Sequence, residues 1–297
     1  PSWCKVTVWD DSRTTHRDLP SIPVGDVVHI QYEPGLWRDK EWLECVLRNF
    51  PARIITTHYY DEWMKQTGAK LADVVIVHDK RYAHKARHHY MVQGCPVFAE
   101  KDNLRKLRER LGLPIQAQII ASFGFYMDWK RLEIFFENLA PHLALSRESV
   151  YLLWLHSIHT RAEDYGQGVM ARVDHLIKVH NLRNVFVSRE FMDKEAINDY
   201  LQAADVGVLW SPSADSTGSS AASKEFVAGR CPIVLSDISH YGDLTRGVLR
   251  VSPDASIQEF EDSIKSKRYD SAKNILIKYS GQKLQDVGID KRMETRG

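Results

Sequence analysis

Ile119-Ile120-Ala121-Ser122-Phe123-Gly124-Phe125-Tyr126-Met127-Asp128-Trp129-Lys130 reads as an apolar strand, a glycine turn, a short loop and a lysine that opens a helix. The glycine lets the backbone approach a ligand closely. The lysine could set a cation beside a diphosphate. The same residues also make an ordinary strand-to-helix turn with a solvated lysine, and the segment alone does not choose. The pattern repeats on either side. Strand runs are expected at Lys5–Trp9, Asp26–Gln31, Arg53–Thr57, Val74–Val77, Gln118–Phe123, Val150–Leu155, Val185–Val187, Val206–Trp210 and Pro232–Leu235. Many are continuous β-branched runs rather than alternating ones, the pattern of strands covered on both faces of a parallel sheet. Helices are expected between them, at Asp39–Asn49, Asp102–Leu111, Lys130–Leu143, Tyr165–His180, Asp193–Ala203 and Ser219–Ala228. This alternation predicts an α/β fold with parallel sheets.

The charged helix Asp102–Leu111 is closed by Gly112 and Pro114, and a new strand follows at once. It predicts a boundary, with one α/β domain over residues 1–113, a second over 114–256, and a charged helical tail over 257–297 that ends loosely at Lys291–Gly297. Open parallel sheets bind ligands beyond the carboxyl ends of their strands, and domain interfaces are common pocket sites. A ligand is therefore expected in a cleft between the domains.

Composition excludes several classes. The 297 residues are 43% apolar and 27% charged, ordinary values for a globular protein. The net charge of +1 gives no global argument for a polyanionic partner. No stretch approaches the roughly 20 apolar residues of a membrane span, and the polar start at Pro1-Ser2-Trp3-Cys4 predicts no signal peptide. A first residue other than Met points to processing or to a piece of a longer chain. Cys4, Cys45, Cys95 and Cys231 are far apart, with no C-x-x-C spacing, so reduced thiols in a cytoplasmic protein are expected.

A second stretch, Ser211 to Pro232, follows one strand and precedes another. Its small polar run Thr217-Gly218-Ser219-Ser220 should open a helix. Free N–H groups and the positive dipole end make such a terminus a phosphate site; a plain serine-rich cap is the other reading. Glu225 lies about two turns further on, where its carboxylate could accept from ribose hydroxyls or simply face solvent.

From Ile119 to about Leu244 the chain resembles the donor-binding domain of group 1 glycosyltransferases, the retaining GT-B superfamily. The matching residues are Ser122-Phe123-Gly124 with Lys130, Ala203-Ala204-Asp205-Val206-Gly207-Val208-Leu209, Glu225, and Pro232-Ile233-Val234-Leu235-Ser236-Asp237. The resemblance implies two Rossmann-like domains and a nucleotide-sugar donor (a UDP-, GDP- or ADP-sugar) with no other cofactor. Gly124, Phe125, Lys130, Thr217, Gly218, Ser219, Ser220 and Glu225 would then hold the donor. Three positions depart from the family pattern. Glu225 matches the second glutamate of the E-x7-E helix, but Thr217 stands at the first. Phe125 replaces an arginine that often follows the glycine turn. The glycine usually just before the proline strand is shifted to Gly229.

The first domain points to an acceptor. Asp26–Gly35 and Arg53–Tyr60 resemble first-domain strands of this family, and His58 resembles the strand-end histidine that reaches the cleft. His58 is grouped with Lys130 and Glu225 as catalytic. Tyr32 and Glu33 are placed on the acceptor side, Glu33 being equally readable as a loop cap, and His78 is read as structural. The domain is shorter than is usual in the family, and no opening strand with a glycine-rich loop is found, so a partner chain or an upstream segment is a second expectation. The basic run Lys80–Tyr90 reads as a solvated helix face, or as a contact to anionic lipid headgroups or nucleic acid that would place the protein at the membrane periphery. His84, His88 and His89 in that run invite a metal, but no acidic or Cys partner sits at ligand spacing, and no convincing D-x-D follows an apolar strand, so metal-free chemistry is expected. The reading is glycosyl transfer with retention to an acceptor left open among glycan, lipid-linked sugar, protein and modified nucleic acid. Its rivals are a weakened donor-binding module and a nucleotide-sugar epimerase.

Overall fold

In the computed structural model, residues 25–34, 37, 39–83, 85–91, 94, 103–159, 162–212, 220–242, 244, 248–254, 259 and 262 are described. They divide into two compact units, the first ending at Met91 and the second comprising Gly94 onward. The expected strand Lys5–Trp9 and the tail beyond 262 lie outside these residues.

The first unit is a four-stranded parallel sheet in the order β1 (Val27–Tyr32), β2 (Ala52–Thr57), β3 (Val74–Val77) and β4 (His88–Tyr90). Between β1 and β2 runs α1 (Lys40–Arg48). Asp39 caps it by accepting from the Trp42 amide at 2.9 Å, a contact of about 1 kcal/mol. Leu43, Val46 and Leu47 form its buried stripe; Leu43 and Leu47 meet Ile30, Tyr32, Ile55, Val75 and Val77 from the sheet. A π-helical turn at Met64–Gly68 leads into α2 (Ala69–Leu71). β1 alternates, with Ile30 and Tyr32 buried and Val27, His29 and Gln31 exposed. It therefore differs from the two-faced burial expected of a parallel strand.

The basic run 80–90 is not a helix. A single 3-10 turn at Lys80–Tyr82 is followed by β4, because the Val75 amide donates to the Arg87 carbonyl and the Met91 amide to the Val77 carbonyl, both at 2.9 Å. Its cations are engaged within the fold. Arg81 pairs with Asp79 at 2.6 Å, Lys85 donates to the Tyr60 hydroxyl at 3.2 Å, and Arg87 donates to the Ala72 carbonyl at 3.3 Å. His88 is buried against Tyr60 at 2.8 Å.

The second unit is a six-stranded parallel sheet in the order β10-β9-β8-β5-β6-β7. Its strands are β5 (Gln118–Tyr126), β6 (Val150–Ile158), β7 (Val185–Val187), β8 (Val206–Leu209), β9 (Ile233–Ser236) and β10 (Val248–Val251). Alternate residues of each strand feed separate cores. Ile120, Leu152, Trp154, Val206, Val208 and Val234 face α4 (Leu132–Leu145) and α5 (Glu163–Val179). Ile119, Ala121, Leu153, Leu155, Ile233 and Leu235 face α3 (Leu104–Arg110), α6 (Lys194–Ala203) and α7 (Ala221–Ala228). This double cover explains the continuous apolar runs, since both faces of each strand pack against apolar side chains. Each fully buried aliphatic side chain contributes about 1.5–3 kcal/mol. Gly207 is required by packing, because a Cβ there would overlap the Phe226 ring.

α3 belongs to this core. Leu107 packs in it, and Arg108, 4% exposed, reaches across to the second sheet. Its guanidinium donates to the carbonyls of Ala203 (2.9 Å), Ile115 and Ala117 (both 3.3 Å) and pairs with Asp205 at 2.8 Å. Asp205 also accepts the Ile119 amide at 2.7 Å, tying the start of β5 to the loop before β8.

Candidate functional site

The strand order of the second sheet reverses at β5: β6 and β7 lie to one side, and β8, β9 and β10 to the other. Helices leave the carboxyl ends of neighbouring strands in opposite directions at such a point, opening a crevice for a ligand. Gly124 sits near the end of β5 there. Its φ of +138° is a conformation side-chain-bearing residues rarely adopt. A Cβ on Gly124 would lie 3.1 Å from Lys130 Nζ and 3.7 Å from Ala222 Cβ. The bare glycine backbone, the lysine ammonium and the first turn of α7 therefore converge. Ser220 caps α7, its Oγ accepting from the Ser223 amide at 3.2 Å. Thr217, Gly218 and Ser219 lie outside the described residues.

Lys130 closes a 3-10 turn at Asp128–Lys130, after which Arg131 adopts a φ of +48° and α4 begins. The expected helix thus starts two residues later than Lys130 itself, and Lys130 is freed to fold back. Its Nζ donates to the Phe125 carbonyl at 3.2 Å and lies 5.4 Å from the Trp129 ring. The side chain as a whole is half-buried, but its amine is drawn against the turn. That desolvation lowers its pKa from 10.5 to about 8. Glu225 is one helical turn from Ala222 and half-buried; burial raises its pKa, with Lys194 opposing the shift.

Phe125, expected to hold the donor, has neighbours that the sequence left unmarked, His159 and Phe191. Phe125 is 38% exposed, meets His159 edge-on at 5.0 Å and stacks on Phe191, itself 76% exposed, at 6.4 Å. Beyond β8, the Ser211 amide donates to Ser236 Oγ at 2.9 Å and the Ser211 hydroxyl to the Trp129 carbonyl at 3.4 Å. These contacts bind together the loops after β5, β8 and β9. Isolated serines and histidines at strand ends carry no spacing signal that would have marked them.

In the first unit, the His58 amide donates to the Tyr32 carbonyl at 3.0 Å, at the carboxyl ends of β1 and β2. The imidazole lies 3.1 Å from Gln31 Oε1 and 5.1 Å from the His78 ring. Burial first, and then His78, lower its pKa to about 4. His58 is thus a neutral hydrogen-bonding group near pH 7. Tyr32 is fully buried, its hydroxyl donating to Asp61 at 2.8 Å and accepting from Lys40 at 2.5 Å. That places Tyr32 in the core instead of on an open acceptor surface. Glu33 is half-buried, and its carbonyl accepts the Trp37 amide at 3.2 Å. His78 is buried, with Nδ1 2.7 Å from the Met91 carbonyl.

Between pH 6.5, the ordinary histidine value, and about 4, the unfolded state binds the proton that folded His58 refuses. Stability should therefore fall as pH drops through that window. The contribution is about 1–2 kcal/mol after discounting for partial exposure. Urea denaturation at pH 7 and pH 4.5 checks this. His58→Gln should show a shallower loss, and an unchanged slope removes His58 from the acid response.

Among the described residues no cluster of three His, Cys, Asp or Glu side chains is placed to hold a metal ion. No helix of theirs is long and apolar enough to cross a membrane. Cys45 is exposed and Cys231 buried, both as free thiols.

The sequence matches no protein-family model and no curated protein. Solved structures do match. Anabaena HepE in complex with UDP and glucose aligns at TM-score 0.62 and 14% identity, over 86% of this chain and 73% of that one. A glycosyltransferase from Rickettsia africae aligns at TM-score 0.61 and 15% identity, over 86% and 71%. The α,α-trehalose-phosphate synthase (UDP-forming) of Burkholderia vietnamiensis aligns at 0.57 and 14%, over 86% and 69%. Two parallel sheets, the second with its order reversing at β5, and these alignments together give the chain a GT-B fold.

Proposed function

We propose that the protein is a glycosyltransferase that moves a sugar from a nucleoside-diphosphate sugar to an acceptor, with retention and without a metal. The observation that carries this reading is the convergence of Gly124, Lys130 and the capped start of α7 where the second sheet reverses order. The diphosphate would lie against the α7 amides and the Lys130 ammonium, with the glycine admitting it closely. Glu225 stands on the same helix face as Ala222 and would accept from the ribose. The UDP-bound structure among the similar folds supports a nucleotide donor. As the sugar becomes oxocarbenium-like, charge gathers on the leaving diphosphate, and preorganised donors there lower the barrier most. Same-face attack by the acceptor needs no covalent nucleophile. His58, uncharged near pH 7, would hydrogen-bond a sugar hydroxyl. Thr217 and Phe125, each replacing a charged family residue, favour a second reading: a donor-binding module whose transfer depends on a partner chain.

A thermal-shift screen with UDP, GDP, ADP and their sugar conjugates tests the donor site. One nucleotide series should raise Tm, because a ligand that binds only the folded state stabilises it. Glu225→Ala should abolish or greatly reduce the shift. No shift with any series would remove the donor site from this chain. Donor binding without transfer to any acceptor would favour the module.

A further inference from the structure

Beneath the Gly124 turn lies a set of buried polar groups that the donor reading does not use. β5 and β6 pair with Gly124 opposite His156. His156 is 3% exposed in a strand otherwise filled by Leu152, Leu153, Trp154 and Leu155. Its Nε2 lies 2.9 Å from Ser122 Oγ, while its Nδ1 has no hydrogen-bond partner among the described residues. Its ring is wedged 4.4 Å from Trp154 and 5.5 Å from Tyr126, and those two are joined by the Trp154 indole donating to the Tyr126 hydroxyl at 2.9 Å. Buried polar atoms without partners are rare because they forfeit hydration. An apolar residue would suit this strand better unless the turn beyond it needs the imidazole.

We propose that His156 is a positioning residue for the ligand-facing lysine: wedged between Tyr126 and Trp154 and tied to Ser122, it backs the Gly124 turn and fixes where the Lys130 ammonium stands. This rests on the reading of Lys130 as the diphosphate cation. The groups that face His156 are consistent with a supporting role. Burial and the nearby Lys130 charge both hold its pKa well below 6.5. Tyr126 is itself held protonated by burial, with the Arg189–Asp174 pair beyond it. The imidazole therefore supports Lys130 without repelling it. A leucine would supply bulk but no contact with Ser122.

The test uses His156→Phe, which keeps a planar ring without nitrogens, and Ser122→Ala, which removes only the tie. Competitive acetylation of the ligand-free chain across pH 7–11, read at Lys130 by peptide mass spectrometry, gives the lysine's midpoint. Calorimetric titration with UDP, GDP and ADP gives the affinity. In wild type the midpoint should lie near 8; in His156→Phe it should rise by about one pH unit toward 10.5, as the loosened amine regains water. Affinity for the nucleotide that binds wild type should fall roughly tenfold. Ser122→Ala should shift both in the same direction by less. An unchanged midpoint in folded His156→Phe overturns the proposal, and if that variant does not fold, an unchanged midpoint in Ser122→Ala does so. If no nucleotide binds wild type, the donor reading fails, and the acetylation midpoints alone still decide whether His156 sets the lysine.

Discussion

Lys130→Ala should lower turnover by about 10²–10³-fold while leaving the fold intact, the loss typical of removing one preorganised donor from a developing charge. The ammonium stands at the Gly124 turn and, among the described residues, donates to the Phe125 carbonyl alone, so its removal breaks one hydrogen bond and no network. Holding a charge in a desolvated position itself costs stability, and the alanine variant should melt no lower than wild type. Lys130 also titrates near 8, so donor affinity should weaken as pH rises past that value. Lys130→Arg, charged at every accessible pH, should flatten that decline even if its geometry lowers activity. Steady-state kinetics at pH 7 and 9, beside circular dichroism, separate these effects. Near-normal turnover in Lys130→Ala would remove the lysine from the mechanism.

The second large effect concerns stability. Arg108→Ala should cost about 3–5 kcal/mol, the range for breaking a buried ion pair by removing one partner. The guanidinium serves the carbonyls of Ala203, Ile115 and Ala117 as well as Asp205, at a site 5% exposed. Denaturant unfolding read by tryptophan fluorescence measures the loss. A change below about 1 kcal/mol would mean that the neighbouring carbonyls find other donors.

These two residues show what the sequence could carry. Lys130 was legible because a glycine turn after an apolar run fixes its context. Arg108 was less so: helical spacing sets it beside Leu104, Leu107 and Leu111, but a charge there reads as the rim of an apolar face, and its partner Asp205 is nearly a hundred residues away. β5, β6, β8 and β9 were readable from their continuous apolar runs, which follow from burial on both faces. β4 was hidden because His88, His89 and Tyr90 have no apolar period, and their pairing with β3 is decided by tertiary contacts. β10 was missed as four residues, two of them half-exposed. His156 was invisible for a different reason: the polar pair His156-Ser157 after an apolar run reads as the point where the strand meets solvent, whereas the fold buries the histidine. Tyr32 was placed on the acceptor side because it ends a strand; its burial, with the hydroxyl held between Asp61 and Lys40, has no mark in the sequence.

The strand order of the second sheet also bears on how the chain is made. As the polypeptide leaves the ribosome, β5, β6 and β7 can assemble in turn, each beside its predecessor. The other edge of β5 must wait, because its neighbour β8 comes only after three further helices, preceded by Asp205, the partner of Arg108. For the time needed to synthesise roughly eighty residues, several seconds at ordinary elongation rates, that edge of β5 presents a bare row of amides and carbonyls. A free edge of that kind is a template for pairing with other chains. The interval between the emergence of β5 and that of β8 is therefore when the growing sheet is most open to pairing with other chains.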